Sequence, residues 1–227
     1  MNLRIAIVLL LLVLPSAAKA ETVSLEAARD TTLIEDPDGA RASGLGSSIF
    51  VGRTGQPRNG IRRGLLYFDV AAALPAGAII EGASLTLYLT PSHDEPREIR
   101  LHRLLADWGE GASFASGGSG APAAPGDATW IHTFYESEFW VRSGGQFLGR
   151  ASAQQEVGAA GFYTWGTTVH LLQDVRLWNS APLRNFGWIL LGDETTIRTT
   201  KDFASREHPI SASRPTLTLT YRLPGKP

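Results

Sequence analysis

Two segments of this chain alternate apolar and polar side chains with a period of two. In ASLTLYLT, Leu85, Leu87 and Leu89 share one face, while Ser84, Thr86, Tyr88 and Thr90 share the other. PTLTLTYR repeats the scheme, with Leu217, Leu219 and Tyr221 opposite Thr216, Thr218 and Thr220. EIRLHRLL alternates more loosely. Only an extended strand throws successive side chains to opposite sides, so these are strands with one dry face and one wet face. Antiparallel sheets have that character, and a chain built from them must pair two dry faces.

RRGLLYFDV and FGWILLG are apolar on both faces, as strands near the middle of a sheet are. TVSLEA, TTLIE, SIFVGR, ATWIHTF, GFYTWG and TIRTTKDFA are shorter strand candidates. EDPDG, TGQPRNG, LPAG and PSHDEP supply turns between them. Roughly ten short strands predict an all-β, antiparallel β-sandwich of jelly-roll type. TTVHLLQDVRLWNSAP breaks the pattern. Val169, Leu172 and Val175, with Leu171 and Trp178, fall at helical spacing, Thr167 or Thr168 can cap, and Pro182 stops the run. One short surface helix is expected there.

The first twenty residues stand apart from this pattern. Arg4 precedes the apolar run Ile5–Leu14, and AAKA ends in a small-x-small pattern before Glu21. The run is too short to span a bilayer, so residues 1–20 read as an export signal cut after Ala20. A secreted chain, outside the cell or in the periplasm, is therefore expected, with no membrane insertion after cleavage. Residues 21–227 then form one domain, interrupted at about 109–126 by an excursion rich in glycine, serine, alanine and proline. The excursion is expected to be ordered at its ends and mobile in its middle. The chain has no cysteine, which removes thiol catalysis, zinc-thiolate sites and any disulfide. Its 21 basic and 22 acidic residues form no basic stripe, so nucleic acid is not an expected partner.

Several stretches, taken in order, resemble one family. ARDTTLIED, IFVGRTG, RRGLLYFDV and LPAGAIIEGASLTLYL are followed by DWGEG before a glycine-rich loop, then GDATW and W-x-x-x-GG-x-F from Trp140 to Phe147. NFGWILLGDE and FASRE before RPTLTLTY complete the set. Together they resemble the bacterial DNRLRE-domain proteins, which are similar to the ninety-sixth family of carbohydrate-binding modules. The resemblance implies a secreted β-jelly-roll module of the kind attached to polysaccharide-degrading enzymes or surface proteins, with alginate-type polymers bound by some members.

The residues themselves offer few routes to catalysis. There is no Gly-x-Ser-x-Gly elbow, phosphate loop or His-Glu-x-x-His helix, and the five histidines are scattered. Asp107, Glu110 and Asp127 are the nearest thing to paired carboxylates, as a glycosidase requires. The alternative is that Asp107 and Asp127 fix loop backbone through Asx-type hydrogen bonds. Glu26 and Asp30 near the first strand, with Asp202 near the last, are candidates for a structural calcium, since terminal strands commonly pair. No other cofactor is expected. Ser205–Arg206–Glu207 reads as an ion pair tying two loops together. Arg62, Arg63, Arg97, Arg100 and Arg103 offer planar donors for carboxylates.

GDATWIHTFYESEFW, from Gly126 to Trp140, crowds five aromatic rings into one stretch. Strand alternation puts Trp130 and Phe134 in the core and leaves Tyr135 and Trp140 beyond it. Trp108, between an acid and the excursion, is expected to stand exposed. The expected ligand residues are accordingly Trp108, Tyr135 and Trp140 for stacking, with Glu110, Asp127 and Arg142 as polar partners. The expected function is a non-catalytic carbohydrate-binding module for an acidic or plant/algal-type polysaccharide. Its rivals are a structural or adhesive surface module and, last, a glycan-cleaving enzyme.

Overall fold

The structure, a computed structural model, describes residues 19–224. All but the last two residues of the expected leader therefore lie outside the described residues. In chain order the elements are β1 (Glu21–Glu26), β2 (Arg29–Ile34), β3 (Arg41–Ala42), β4 (Ser48–Arg53), β5 (Ile61–Tyr67), α1 (Val70–Ala73), β6 (Ile79–Leu89) and β7 (Arg97–Leu104). They continue with β8 (Ala121–Pro122), β9 (His132–Phe134), β10 (Glu138–Phe139), β11 (Phe147–Val157), β12 (Gly161–Trp165), α2 (Val169–Ser180), β13 (Trp188–Leu191), β14 (Lys201–Ala204) and β15 (Thr216–Arg222).

The chain is an all-β antiparallel sandwich. One layer carries β1, β15, β6, β12, β14 and most of β4, and the other carries β2, β5, β13, β7 and β11. β4 belongs to both. Its first residues pair with β14, and Gly52 and Arg53 then pair with β5. Gly52 makes this corner possible. Its φ is 118°, and a Cβ there would lie 2.8 Å from the carbonyl oxygen of Thr199.

The period-two strands behave as their patterns demand. Leu85, Leu87, Leu89, Leu217 and Leu219 are fully buried between the layers, and the threonines between them face outward. Leu66, Trp188 and Leu190 join the same core. β13 lies between β5 and β7 and is buried along its whole length. Its other face, Ile189 and Leu191, belongs to a second cluster with Leu33, Leu65, Leu104, Ala128, Trp108 and Trp140. That cluster lies on the outer side of the second layer, beneath the segments that carry Trp108, Ala128 and Trp140. The sandwich therefore has a third, irregular layer on one side.

α2 forms where helical spacing places it. Thr168 caps it by accepting from the Leu171 N–H, which satisfies one of the free first-turn donors. The buried face is Leu171, Asp174, Val175 and Trp178, whereas Val169 is 69% exposed. Trp178 packs edge-on against Trp188 at 4.4 Å, and buried Asp174 accepts from Trp188 Nε1 and forms an ion pair with Arg103 at 3.3 Å. A single-turn helix, α1, is present as well, capped by Asp69. Among the described residues no helix is long and apolar enough to cross a membrane.

Candidate functional site

Burial overturns the expectation that Trp108 and Trp140 present their rings to a ligand. Trp108 is 0% exposed and Trp140 5%. Each indole N–H is spent on a carbonyl, Trp108 on Phe186 and Trp140 on Thr129, both at 2.9 Å. The cause is the third layer, which has to cover the apolar outer face of β2, β5 and β13 and does so with these rings. Trp130, expected in the core, is only half-buried and lies under the Arg63 guanidinium at 4.9 Å. Phe134 is likewise half-buried. Tyr135 is half-buried and meets His132 edge-on at 5.1 Å, and Arg142 is exposed on the loop after Trp140.

The three loop acids take separate partners. Asp107 pairs with Arg29 at 3.0 Å. Asp127 is fully buried and accepts from the Ser113 N–H, the Ser113 hydroxyl and the Ala124 N–H at 2.6 Å. That is the loop-fixing role open to it as an Asx residue, and it closes the base of the excursion. Glu110 accepts from the Asp30 N–H at 2.8 Å and from Arg206 through both oxygens, at 2.7 and 3.0 Å.

The calcium set of Glu26, Asp30 and Asp202 does not assemble. β1 and β15 do pair, but β15 and β6 lie between β1 and the Asp202 strand, β14. Glu26 is mostly exposed and faces Arg214 at 3.6 Å. Among the described residues the acids that come within a shared ligand distance are instead Asp30, Glu110 and Glu207. The Arg206 guanidinium lies among them, bidentate to Glu110 and 2.9 Å from Glu207, while its backbone N–H donates to Asp30. The cluster ties β2, the start of the excursion and the loop after β14 into one knot. Ser205–Arg206–Glu207 thus joins loops, with Glu110 as the main partner.

Two carboxyls of this knot are expected to make its stability depend on pH. Burial pushes the Asp30 carboxyl well above its ordinary value of 3.8, against the opposing hydrogen bond from the Arg206 N–H. Burial raises Glu207 as well. A folded-state value raised above the unfolded one favours the fold at low pH, below the ordinary carboxylate range. That contribution is lost as pH rises through the raised value. Asp30→Asn keeps an acceptor for the Arg206 N–H and removes the titration. It is expected to raise the melting temperature at pH 8 and to leave it nearly unchanged at pH 4. A wild-type advantage at pH 8 in parallel melts would refute this.

A concavity lies elsewhere, on the outer face of β4 and β14. Register sets it up: Asp202 pairs with Phe50, so both side chains project to the same side, with Thr200 two residues along. Ile49 and Val51 point inward and are fully buried. The resulting cleft encloses about 560 Å³, with Ser92, His93 and Arg198 on its rim. Lys201, fully buried, fixes one wall by donating to the carbonyls of His93, Glu95 and Gly158. Burial lowers its pKa. Ser92 Oγ, Thr200 Oγ1 and Asp202 Oδ1 are buried here and take no hydrogen bond. Burial raises the Asp202 carboxyl, and the hydroxyls of Ser48 and Thr90 draw it back.

A smaller, more polar depression of about 450 Å³ adjoins it, bounded by Glu35, Asp36, Arg41, Asn59 and Arg62. Both concavities share Gln56 and Ser119. Two of the non-glycine residues with positive φ, Asn59 at 53° and Arg198 at 61°, line these two depressions. For Arg198 that backbone costs about 1 kcal/mol or more, a strain that gathers at ligand sites. The arginines expected as free donors are mostly committed. Arg62 is 2% exposed, Arg63 grips Glu194 through two nitrogens, and Arg103 faces Asp174.

Phe50 was not among the expected ligand residues. The signal was present in SIFVGR, where period two puts this one large ring at an outward position between two core residues. No protein-family model matches the chain, and no curated protein does either.

Proposed function

We propose that this protein is a secreted, non-catalytic polysaccharide-binding module that seats glycan in the cleft over β4 and β14. One observation carries the reading: an outward aromatic ring, Phe50, stands beside Thr200 and Asp202 in a cleft that the exposed side chains of Gln56, His93 and Arg198 also line. A sugar ring has an apolar face to stack on an aromatic ring and hydroxyls around its edge. Gln56, His93 and Arg198, all exposed at the cleft, supply donors and acceptors for those hydroxyls. The family resemblance and the export signal read from the sequence point the same way.

The test is affinity electrophoresis through gels containing alginate, pectate, xylan or β-glucan. Retardation of the wild-type protein is expected in at least one. Phe50→Ala is expected to weaken binding tenfold or more, and Asp202→Asn severalfold, since a few central residues dominate such affinities. Both variants should keep the wild-type cooperative melt, because neither side chain belongs to the core. Free migration of the wild type in all four gels would leave a structural or adhesive surface module as the better account.

A further inference from the structure

The two depressions meet at a short turn. The Gly120 N–H donates to the Gly117 carbonyl at 3.1 Å, which makes Gly118 and Ser119 the central residues of a β-turn. Ser119 and Gln56 belong to the walls of both depressions. Gly118 packs on Phe50: a Cβ built on it would lie 3.3 Å from both Cγ and Cδ1 of the ring. The turn thus lies on the surface of the phenyl ring that the cleft offers for stacking.

We infer that the two depressions are halves of one groove for an extended run of sugar units, and that the Gly117–Gly120 turn is the cover that parts them. The inference rests on the polysaccharide reading above. Its physical basis is a contrast in how the excursion is held. Its ends are fixed: Asp127 grips Ser113 and Ala124, Ala115 is buried, and Ala121–Pro122 pair with Arg41–Ala42. The tip is held more lightly: Gly118 rests on Phe50 and Gly120 lies against Ile34, but the single side chain of Gly-Gly-Ser-Gly, that of Ser119, is exposed, and a Cβ on Gly117 would meet nothing within 4 Å. Its tether is polar, from Arg62 Nε to the Gly118 carbonyl.

A segment with few packed contacts opens at little cost while its anchored flanks stay in place. Lifting the turn uncovers Phe50, joins the 560 and 450 Å³ spaces, and frees a donor of Arg62 in the wall of the smaller one. Arg62 stays in position because its Nη1 also donates to Asn59 and Ile61. A single sugar unit fills one depression and gains nothing from opening. A longer chain occupies both and offsets the contacts the turn gives up, which is selection of the open state by differential affinity. Binding should therefore depend steeply on chain length.

Two measurements test this. Size-fractionated oligomers of one to eight units, from whichever of the four polymers retards the wild type most, compete with that polymer for the protein. Hydrogen exchange is followed at residues 116–120. Competition is expected to strengthen at least tenfold between one unit and six, and exchange of the turn is expected to change with the longer oligomers only. Equal competition by a single unit would overturn the inference.

Because the chain has no cysteine, Gln56→Cys with Ser119→Cys gives one addressable pair, joined by a reducible bis-methanethiosulfonate linker. The linked protein is expected to bind polymer at least tenfold more weakly than the same protein after reduction. Equal binding in both states would dismiss the cover while leaving the glycan site standing. Failure of the wild type to bind any of the polymers would remove both readings together.

Discussion

Trp108→Ala is expected to lower the unfolding free energy by about 3–5 kcal/mol, the range for removing a large aromatic from a packed interior. The ring has no solvent-accessible surface, and its indole N–H satisfies the Phe186 carbonyl. The Arg29 guanidinium sits 4.9 Å from it, on the way to the Trp108 carbonyl and to Asp107. Truncation would leave a cavity between Leu104, Ile189 and Trp140, with a carbonyl robbed of its donor. Denaturant unfolding followed by circular dichroism measures the loss. At low denaturant, where the variant is still folded, polysaccharide retardation should match the wild type. A variant that unfolds like the wild type yet no longer binds would make Trp108 a ligand platform and contradict its burial.

That outcome separates two meanings of an aromatic-rich loop, and it shows where the sequence stops being readable. Strand alternation located the inter-layer core correctly, because a period of two is a local property of the backbone. Leu85, Leu87, Leu217 and Leu219 are buried for that reason alone. The third layer is not local. Leu65 and Leu66, or Ile189 and Leu190, are adjacent residues that belong to different cores.

Two-sided apolar strands signal that something covers both faces, and the long stretch from the end of β7 to the start of β11 holds only the short strands β8, β9 and β10. Read together, those facts would have placed Trp108 and Trp140 inside. Read one at a time, they left the rings looking free. The knot around Arg206 was half legible: the Arg–Glu motif announced an ion pair, but Glu110 is 96 residues away in the chain. The cleft was least legible. Phe50, Thr200 and Asp202 face one another through the pairing of β4 with β14, and no local pattern specifies which strands pair.

The excursion depends on one carboxylate. Asp127 has no exposed surface and accepts from three donors: Ser113 N–H, Ser113 hydroxyl and Ala124 N–H. Asp127→Ala leaves the Ser113 and Ala124 N–H groups without their acceptor, while the Ser113 hydroxyl keeps the Pro122 carbonyl, and each buried donor left unsatisfied costs about 1–3 kcal/mol. Some are recovered by water once the loop loosens, so a net loss of about 2–4 kcal/mol is expected in denaturant unfolding. Gly111 limits any repacking, since its backbone runs against the same carboxylate. A Cβ there would lie 1.6 Å from Asp127 Oδ1.

The consequence for binding follows from position. The Gly117–Gly120 turn lies within the loop that Asp127 closes, so freeing the base lets the tip wander from Phe50. Faster hydrogen exchange and protease cleavage should appear across residues 113–126 before the sandwich itself unfolds. Asp127→Asn should fall between wild type and Asp127→Ala, because the amide keeps one acceptor and turns its other atom, a donor, toward donors. If Asp127→Ala unfolds at wild-type denaturant and its excursion resists protease, the carboxylate is not what holds the loop. The ordering of the turn over Phe50 would then need another anchor.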